Sequence, residues 1–227
     1  MTARPYVLLS VATSVDGCID DATPRRLVLS NAADLDRVDA ERAGVDAILV
    51  GATTVRRDDP RLLVRSTDRV ARRLAEGRPA QPTKVAVSRS GLLDPGARFF
   101  TAGDAERVVV VPDGAVAATR ARLGDLAEVV GAGDPLDPRR VLAVLAGRGV
   151  RRLMVEGGTS MHTLFLTAGL VDEIQLVVAP FFVGDPAAPR FVGPGAFPYD
   201  AGHRMRLAEA RPIGDVVLLR YLLGDTG

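Results

Sequence analysis

The stretch Glu156–Gly158 places an acid and two glycines between an apolar run and a helical pattern. The run 151–155 is short and apolar, which predicts a buried strand. Apolar residues then recur at the i, i+3, i+4 and i+7 positions of one helical face, namely Met161, Leu164, Phe165 and Ala168. Thr159 or Ser160 can cap this helix, and Gly169 can end it.

A strand, a Gly-Gly turn and a helix in this order suit an anionic ligand. A helix N-terminus carries unpaired N–H groups and the positive end of the helix dipole, and glycines let a ligand approach the backbone closely. Phosphate or pyrophosphate is the natural ligand of such a turn. The alternative is an ordinary tight turn, in which Gly157–Gly158 only supplies a positive φ.

Two arginines of the stretch Glu41–Arg65 could also bind an anion. Arg42 shares a helical face with Leu35 and Val38, where a guanidinium costs desolvation unless it meets an anion. Alternatively, its aliphatic stem carries the charge to the surface. Arg65 adds a second positive charge suited to a phosphate.

Three further polar stretches carry candidate groups. Asp58 and Asp59 rarely face one point as neighbours, so one could bind a ligand while the other caps a turn before Pro60. Residues 88–90 present two hydroxyls and a guanidinium, which suit the 2′-phosphate of NADP(H) or form a solvated loop. Asp16-Gly17, directly after a predicted strand, favours a simple β-turn.

The elements that must position these groups alternate between strand and helix. Strands are predicted at 6–14, 46–51, 82–88, 106–112, 126–132, 151–156, 173–180, 205–213 and 216–223, and helices at 31–43, 115–123, 138–146 and in the stretch after Gly158. The segment 51–55 follows a buried strand, as ligand loops do. This alternation predicts an α/β domain over 1–227, with a mostly parallel sheet covered on both faces and a terminal antiparallel hairpin at Gly214-Asp215.

Composition excludes several classes of protein. The chain has 227 residues, 47% hydrophobic and 25% charged, and a net charge of +1, so no broad field favours nucleic acid or an anionic membrane. The single cysteine, Cys18, excludes an intramolecular disulfide framework, and the two histidines form no metal pattern. No apolar run is long enough to span a bilayer. We expect a cytoplasmic protein without a metal site.

Taken together, the motifs resemble one family. The segments "SVDG", "AILVGATTVRRDDPRLLVR", "VEGGTSMHTLFLTAGLVDEIQLVVAP" and "GDVVLLRY" occur in the order seen in the riboflavin-biosynthesis pyrimidine reductases, the C-terminal reductase domain of RibD-type proteins. This resemblance covers nearly the whole chain. It implies a dihydrofolate-reductase-like, three-layer αβα fold, NADPH as cofactor, a homodimer and a stand-alone reductase. The implied reaction reduces the ribosyl group of an aminopyrimidine ribonucleotide 5′-phosphate, such as 5-amino-6-(5-phosphoribosylamino)uracil, to a ribityl group.

The resemblance also implies roles for individual residues. Cofactor contacts are expected from Thr13, Gly51, Thr54, Asp58, Ser88, Arg89, Gly157, Gly158, Thr159, Ser160, Met161 and Leu164. Substrate contacts are expected from Arg42, Leu62, Arg65 and Glu156, with the two arginines facing the phosphate and Glu156 accepting hydrogen bonds from ribosyl hydroxyls or the pyrimidine amine. Asp58 is the first candidate for handling a catalytic proton, and Glu156 is the second.

One segment departs from the family pattern. Arg25, Arg26 and Leu27 stand where family members often carry a Gly-Glu-Ser-like run and a tryptophan. Losing an aromatic there would change what packs against the cofactor or the pyrimidine. Two other functions therefore stay open: a dihydrofolate-reductase-like enzyme acting on a pterin or another heterocycle, and a non-catalytic NADPH-binding protein.

Overall fold

The computed structural model of the chain describes residues 4–23 and 27–224, so Arg25 and Arg26 lie outside the described residues. The described residues group into two compact units. The first unit contains residues 4–5 and 39–154, and the second contains residues 6–38 and 155–224. Each unit is therefore built from two separate stretches of chain, and the single domain over 1–227 stays a prediction.

Every strand predicted from the sequence is present in the described residues, with ends that move by one or two positions. The strands are β1 (Tyr6–Ser14), β2 (Ala47–Gly51), β3 (Thr83–Val87), β4 (Arg107–Val111), β5 (Glu128–Gly131), β6 (Arg152–Gly157), β7 (Glu173–Ala179), β8 (Arg206–Ile213) and β9 (Val216–Leu222). They form a mixed, mostly parallel sheet with a C-terminal antiparallel hairpin, which confirms the predicted α/β class.

The helices confirm four predictions and add three elements. The helices are α1 (Ala32–Gly44), α2 (Ala52–Asp58), α3 (Thr67–Ala75), α4 (Arg98–Thr101), α5 (Val116–Leu123), α6 (Pro138–Gly147) and α7 (Thr159–Thr167). The sequence patterns did not predict α2, α3 and α4. Pro138 is the first residue of α6, because a proline in the first turn loses no hydrogen bond. The side chain of Asp137 caps this helix.

In the first unit, the strand order is β5-β4-β3-β2-β6. The pairs β2–β3, β3–β4 and β4–β5 are all parallel, so the carboxyl ends of these strands lie at one edge of the sheet. Every residue of β2 is buried, as expected for a parallel strand covered on both faces. The segments after β2 and β3, which carry predicted ligand residues, leave the sheet at that same edge.

In the second unit, the strand order is β6-β1-β7-β9-β8. Strands β1 and β7 are parallel, whereas β9 is antiparallel to both β7 and β8. Gly214, with φ 63°, supplies the left-handed residue of the β8–β9 turn. One core cluster of this unit packs the end of β7 against the hairpin, through Leu29, Val177, Ala179, Ile213, Val216 and Leu218.

A long connection, residues 180–205, joins β7 to β8 without forming a helix or a paired strand of its own. Connections of this length inside a compact unit are usually functional. Backbone hydrogen bonds fix it to the turn after β1, from Val15 N–H to Phe181 O at 2.9 Å and from Phe191 N–H to Gly17 O at 3.0 Å. This connection is therefore an ordered part of the second unit.

Candidate active site

The Gly-Gly turn of the second unit joins β6 directly to α7. Gly158 is the N-cap of α7, with φ 89° and ψ 137°, a conformation that residues with a side chain rarely adopt. No side chain of the described residues caps this helix. The predicted caps, Thr159 and Ser160, lie instead inside its first turn, so that prediction is wrong. The hydroxyl of Thr159 donates to Arg190 O at 2.5 Å. The N-cap position of α7 thus holds no side chain.

The buried face of α7 is shifted by about one position from the predicted one. His162, Phe165 and Leu166 are buried, whereas Met161 and Leu164 are half-buried. Two of the predicted cofactor residues therefore stay partly accessible on the flank of the helix. Gly169, with φ 65°, follows the C-cap residue Ala168, which confirms its predicted role as the stop.

Helix α7 is fastened to the long connection by polar side chains. The Nδ1–H of His162 donates to Phe191 O at 3.0 Å, and Gly193 N–H donates to the Thr163 hydroxyl at 2.8 Å. Burial lowers the pKa of His162 to about 4, against a smaller opposing effect of its bond to Phe191, so the ring is neutral at physiological pH. The interpretation of His162 as a structural histidine rather than a metal ligand fits these contacts.

The turn after β1 is the predicted β-turn, and its Asp16 carboxylate binds the long connection. Gly17 N–H donates to Ser14 O at 3.0 Å, and Gly17 has φ 82°. The Asp16 carboxylate accepts from the Ser14 hydroxyl at 2.5 Å and from the backbone N–H groups of Val183 and Gly184 at 3.1 and 2.8 Å. These bonds, led by that of Ser14, hold the pKa of Asp16 well below its usual range.

The turn after β1 also follows a predicted cofactor residue. Thr13 is buried in the last part of β1, one residue before Ser14 begins this turn. Asp16 therefore fixes the chain that follows Thr13, a role beyond the β-turn that the Asp-Gly pair predicted. The Asp-Gly pair after a predicted strand was the sequence signal for Asp16. The sequence pattern did not indicate the long connection that Asp16 binds.

In the first unit, the segment after β2 is a helix and not a loop. The predicted ligand loop 51–55 forms the start of α2, with Gly51 as N-cap and no side-chain cap. Thr54 lies half-buried in its first turns, and Asp58 is its last residue. The β-branched pair Thr53-Thr54 concealed this helix, because such residues have low helix propensity. Gly51 still stands at the carboxyl end of a parallel strand, where ligands bind in α/β folds.

The two adjacent carboxylates separate into different environments. Asp59, with φ 41°, ends α2 in the left-handed region and accepts from Arg98 N–H at 2.6 Å. Its second oxygen lies 3.2 Å from the Arg98 guanidinium. Asp58 precedes it and is half-buried. Asp59 is thus a structural group, and the role predicted for Asp58 stays a prediction.

The predicted substrate residues of the first unit lie on α1 and on the segment that follows α2. Arg42 donates to Leu63 O at 3.2 Å, so its guanidinium is turned toward that segment. Leu62 is buried and has φ 48°, an uncommon conformation for a leucine. Arg65 is 61% exposed, with its Nε 3.7 Å from Asp39. The structure therefore brings Arg42 to the segment that carries Leu62 and Arg65.

Residues 88–91 form a tight turn at the carboxyl end of β3. The buried Ser88 hydroxyl accepts from Gly91 N–H at 3.0 Å, which closes the turn, and Arg89 is exposed at its tip. Gly91 has φ 68°, and a Cβ placed there would lie 1.8 Å from the Thr119 hydroxyl. Ser88 is therefore a structural member of the turn, while Arg89 is the side chain that it presents to solvent.

Among the buried charged residues of the first unit that the sequence patterns missed are Asp39 and Lys84. Asp39 is 2% exposed and lies on α1, three residues before Arg42, a spacing that could have revealed the shared face. Lys84 is 0% exposed in the middle of β3, and a lysine inside an apolar strand was the signal for it. Neither was expected from composition, because charged side chains are rarely buried without partners.

Two absences hold for the described ranges, 4–23 and 27–224. Within them, no group of three or more His, Cys, Asp or Glu side chains is arranged to hold a metal ion. No helix in the same ranges combines the length and apolar character needed to cross a bilayer.

The chain is similar in sequence to known proteins. A family model described as the RibD C-terminal domain matches residues 5–219. A protein of Archaeoglobus fulgidus, named 2,5-diamino-6-ribosylamino-4(3H)-pyrimidinone 5′-phosphate reductase, is 37% identical over 187 residues, which cover 82% of this chain and 85% of the relative. A protein of Methanothermobacter thermautotrophicus with the same name is 36% identical over 220 residues, which cover 96% of this chain and 98% of the relative.

A solved structure supports the same relationship at the level of the fold. A pyrimidine reductase-like protein from Corynebacterium diphtheriae superposes with a TM-score of 0.80 over 97% of this chain and 92% of that chain. The two sequences are 22% identical, so this likeness shows a shared fold.

Proposed function

Because the chain belongs to the family of the RibD C-terminal domain, we propose that it is an NADPH-dependent reductase of riboflavin biosynthesis. It converts the ribosyl group of an aminopyrimidine ribonucleotide 5′-phosphate to a ribityl group. The observation that carries this proposal is the match to two relatives named as such reductases, one of which covers 96% of this chain.

The residues around the Gly-Gly turn fit a dinucleotide cofactor. At the start of α7 the N-cap is a glycine with φ 89° and no capping side chain, so an anion there meets backbone N–H groups and the helix dipole. We assign the diphosphate of NADPH to Gly157 and Gly158 with Thr159 and Ser160, and the flanking contacts to Met161 and Leu164. When bound, NADPH supplies the hydride for the sugar carbon.

The remaining cofactor contacts are assigned to other strand ends. Arg89, exposed at the tip of a closed turn, would bind the 2′-phosphate that distinguishes NADPH from NADH. Thr13 and the α2 residues Thr54 and Asp58 would contact other parts of the cofactor, with Gly51 allowing close approach of the backbone.

The substrate phosphate is assigned to two arginines of the first unit. Arg65 is exposed, and the guanidinium of Arg42 is directed to the neighbouring segment, so both are suited to charge-assisted hydrogen bonds. Leu62 is buried, so it would contribute through its backbone. The substrate hydroxyls or the ring amine are assigned to the half-buried Glu156.

Opening of the glycosylamine ring requires a proton, and the chain must supply or direct it. Asp58 is the first candidate because it is a half-buried carboxylate at the end of α2, the helix that follows β2. Glu156, at the end of β6 and directly before the Gly-Gly turn, is the second. The fold otherwise accelerates the reaction by holding donor and acceptor in one orientation.

The decisive experiment follows NADPH oxidation by the purified protein with three substrates. We expect turnover with 2,5-diamino-6-ribosylamino-4(3H)-pyrimidinone 5′-phosphate or 5-amino-6-(5-phosphoribosylamino)uracil, and the faster of the two identifies the pyrimidine ring. Dihydrofolate should give none. Turnover with dihydrofolate alone would refute the proposal in favour of a pterin reductase, and NADPH binding without any turnover would indicate a non-catalytic protein.

Variants test the assignment of residues. Arg89→Ser should raise KM for NADPH and leave KM for NADH unchanged, whereas Arg122→Ser, also an exposed arginine of the first unit, should change neither. Glu156→Gln should lower kcat or raise KM for the substrate while NADPH affinity stays near that of the wild type, whereas Asp58→Asn should lower kcat and also raise KM for NADPH. Unchanged kinetics in both carboxylate variants would remove them from the site.

We also propose that the protein is a homodimer, as the resemblance to the reductase family implies. Sedimentation of the purified protein decides between dimer and monomer. The cytoplasmic location remains an expectation from composition.

A further inference from the structure

The segment that carries Arg65, residues 63–66, is held by side chains rather than by a helix or strand. Gln81 binds Val64 twice, accepting from its N–H at 2.7 Å and donating to its carbonyl at 3.1 Å. Arg42 donates to the carbonyl of Leu63 at 3.2 Å. An irregular segment whose backbone groups are satisfied by fixed side chains has one defined conformation.

Asp39 holds the other half of this segment. Its carboxylate accepts from Arg65 N–H at 2.6 Å and from Ser66 N–H at 3.2 Å, and it pairs with Arg69 Nη1 at 3.0 Å. Burial alone would raise the pKa of Asp39, but the bonds from Arg65, Arg69 and Ser66 together lower it below the ordinary value. The carboxylate is therefore ionised, and its two backbone bonds place Arg65 at the start of α3.

The charges of this cluster suit a phosphate ester. Arg42, Arg65 and Arg69 bring three guanidinium groups to the segment, and Arg65 and Arg69 both lie near the Asp39 carboxylate. A phosphate monoester carries close to two negative charges near neutral pH. Arg69 also shields a ligand from the negative charge of Asp39, because it pairs directly with that carboxylate.

We propose that Asp39 and Gln81 are positioning residues that fix the 63–66 segment, and with it Arg65, for the phosphate group of the substrate. This inference rests on the proposed function, which assigns the phosphate to Arg42 and Arg65. It adds two residues that touch no ligand themselves and act through the backbone of the segment.

The sign of the effect separates positioning from simple electrostatics. Asp39→Asn removes a negative charge and raises the net charge of the cluster by one. If only charge mattered, phosphate would bind this variant more tightly. If Asp39 positions Arg65, binding becomes weaker, because one of the two backbone N–H groups loses its acceptor and the other keeps only a neutral amide oxygen. We expect affinity to fall about tenfold.

Calorimetric titration with ribose 5-phosphate, and separately with inorganic phosphate, provides the readout for the wild type and for Asp39→Asn. Asp36→Asn is the matched control, since it removes an exposed carboxylate from the same helix. Gln81→Ala is the second variant, because it releases Val64 without any change of charge and so covers the case in which Asp39→Asn does not fold. Weaker binding in Gln81→Ala and Asp39→Asn, with the control unchanged, supports the proposal. Equal or tighter binding in both folded variants overturns it.

Kinetics distinguish failure of this inference from failure of the proposed function. If the wild type turns over the phosphorylated aminopyrimidine, Asp39→Asn should raise KM for that substrate about tenfold and leave kcat/KM for its dephosphorylated form and KM for NADPH unchanged. An equal loss with both substrate forms would assign Asp39 to general stability and refute positioning. If the wild type shows no turnover, the proposed function fails, while the titrations still decide whether Asp39 and Gln81 control phosphate binding.

Discussion

Lys84 offers a test of how burial controls a charge in this fold. It is the only lysine of the chain and lies in the middle of β3, 0% exposed. Its Nζ donates to the carbonyls of Phe99 and Ala102, at 3.2 and 2.6 Å, and so fastens α4 to the sheet. Burial, and to a lesser degree the charge of Arg107, lower the pKa of Lys84 to about 8. We predict that Lys84→Met removes a specific dependence of stability on pH.

The magnitude follows from the difference between the folded and unfolded pKa values. The folded value is about 8 and the ordinary value is 10.5. Between them the unfolded chain binds a proton that the folded chain has lost, so the free energy of unfolding rises with pH in that window. From about pH 7 to about pH 10 the rise amounts to roughly 2 to 3 kcal/mol. The neutral amine keeps two N–H groups, so both carbonyls retain their donor.

Urea unfolding of the wild type and of Lys84→Met, each at neutral and at alkaline pH, measures this effect. Other titrating groups contribute equally to both proteins, so the difference between the two pH dependences isolates Lys84. We expect the wild type to gain roughly 2 to 3 kcal/mol relative to the variant as pH rises. Parallel pH dependences would show that Lys84 titrates normally, and the argument from burial would then be wrong.

Three further predictions concern turns and anchors. Gly91→Ala should lower the free energy of unfolding by about 2 kcal/mol more than Gly77→Ala. Both glycines have a positive φ, but only a Cβ at position 91 meets the Thr119 side chain. Chemical denaturation of the two variants measures this difference, and equal losses of stability contradict the prediction. Ellman's reagent should react with the buried Cys18 only in denaturant, so rapid labelling of the native protein would contradict its burial. Asp16→Asn should weaken resistance to acid. The stability that Asp16 contributes is present above the ordinary carboxyl pKa and is lost only as pH falls through its lower pKa in the folded protein. Acid titration followed by circular dichroism should therefore show that the variant unfolds at a higher pH than the wild type.

The sheet could be predicted because its strands are apolar runs with clear ends. All five residues of β2 are buried, and a run such as "AILVG" has few alternatives. The terminal hairpin was visible for the same reason, since two such runs flank Gly214-Asp215. The parts that carry the site were harder to predict, because their conformation depends on partners distant in sequence.

Two elements show why the rest could not be predicted. Helix α3 is rich in arginine, which is typical of a solvated stretch. Arg73 of this helix is nevertheless buried, because it binds the carbonyls of Ala43 and Val45 at the end of α1. The start of α7 depends on the positive φ of Gly158. It also depends on the Arg190 carbonyl in the long connection, which accepts a hydrogen bond from the Thr159 hydroxyl, one of the predicted capping groups. Such long-range contacts leave no periodic signal.

The burial of Lys84 has a practical consequence for work on this protein. Amine-directed reagents have no exposed lysine side chain to modify in the native chain. Fluorescent dyes, surface coupling and biotin therefore need a different side-chain chemistry. Conversely, an acylated Lys84 in a peptide map would report that the molecule had opened.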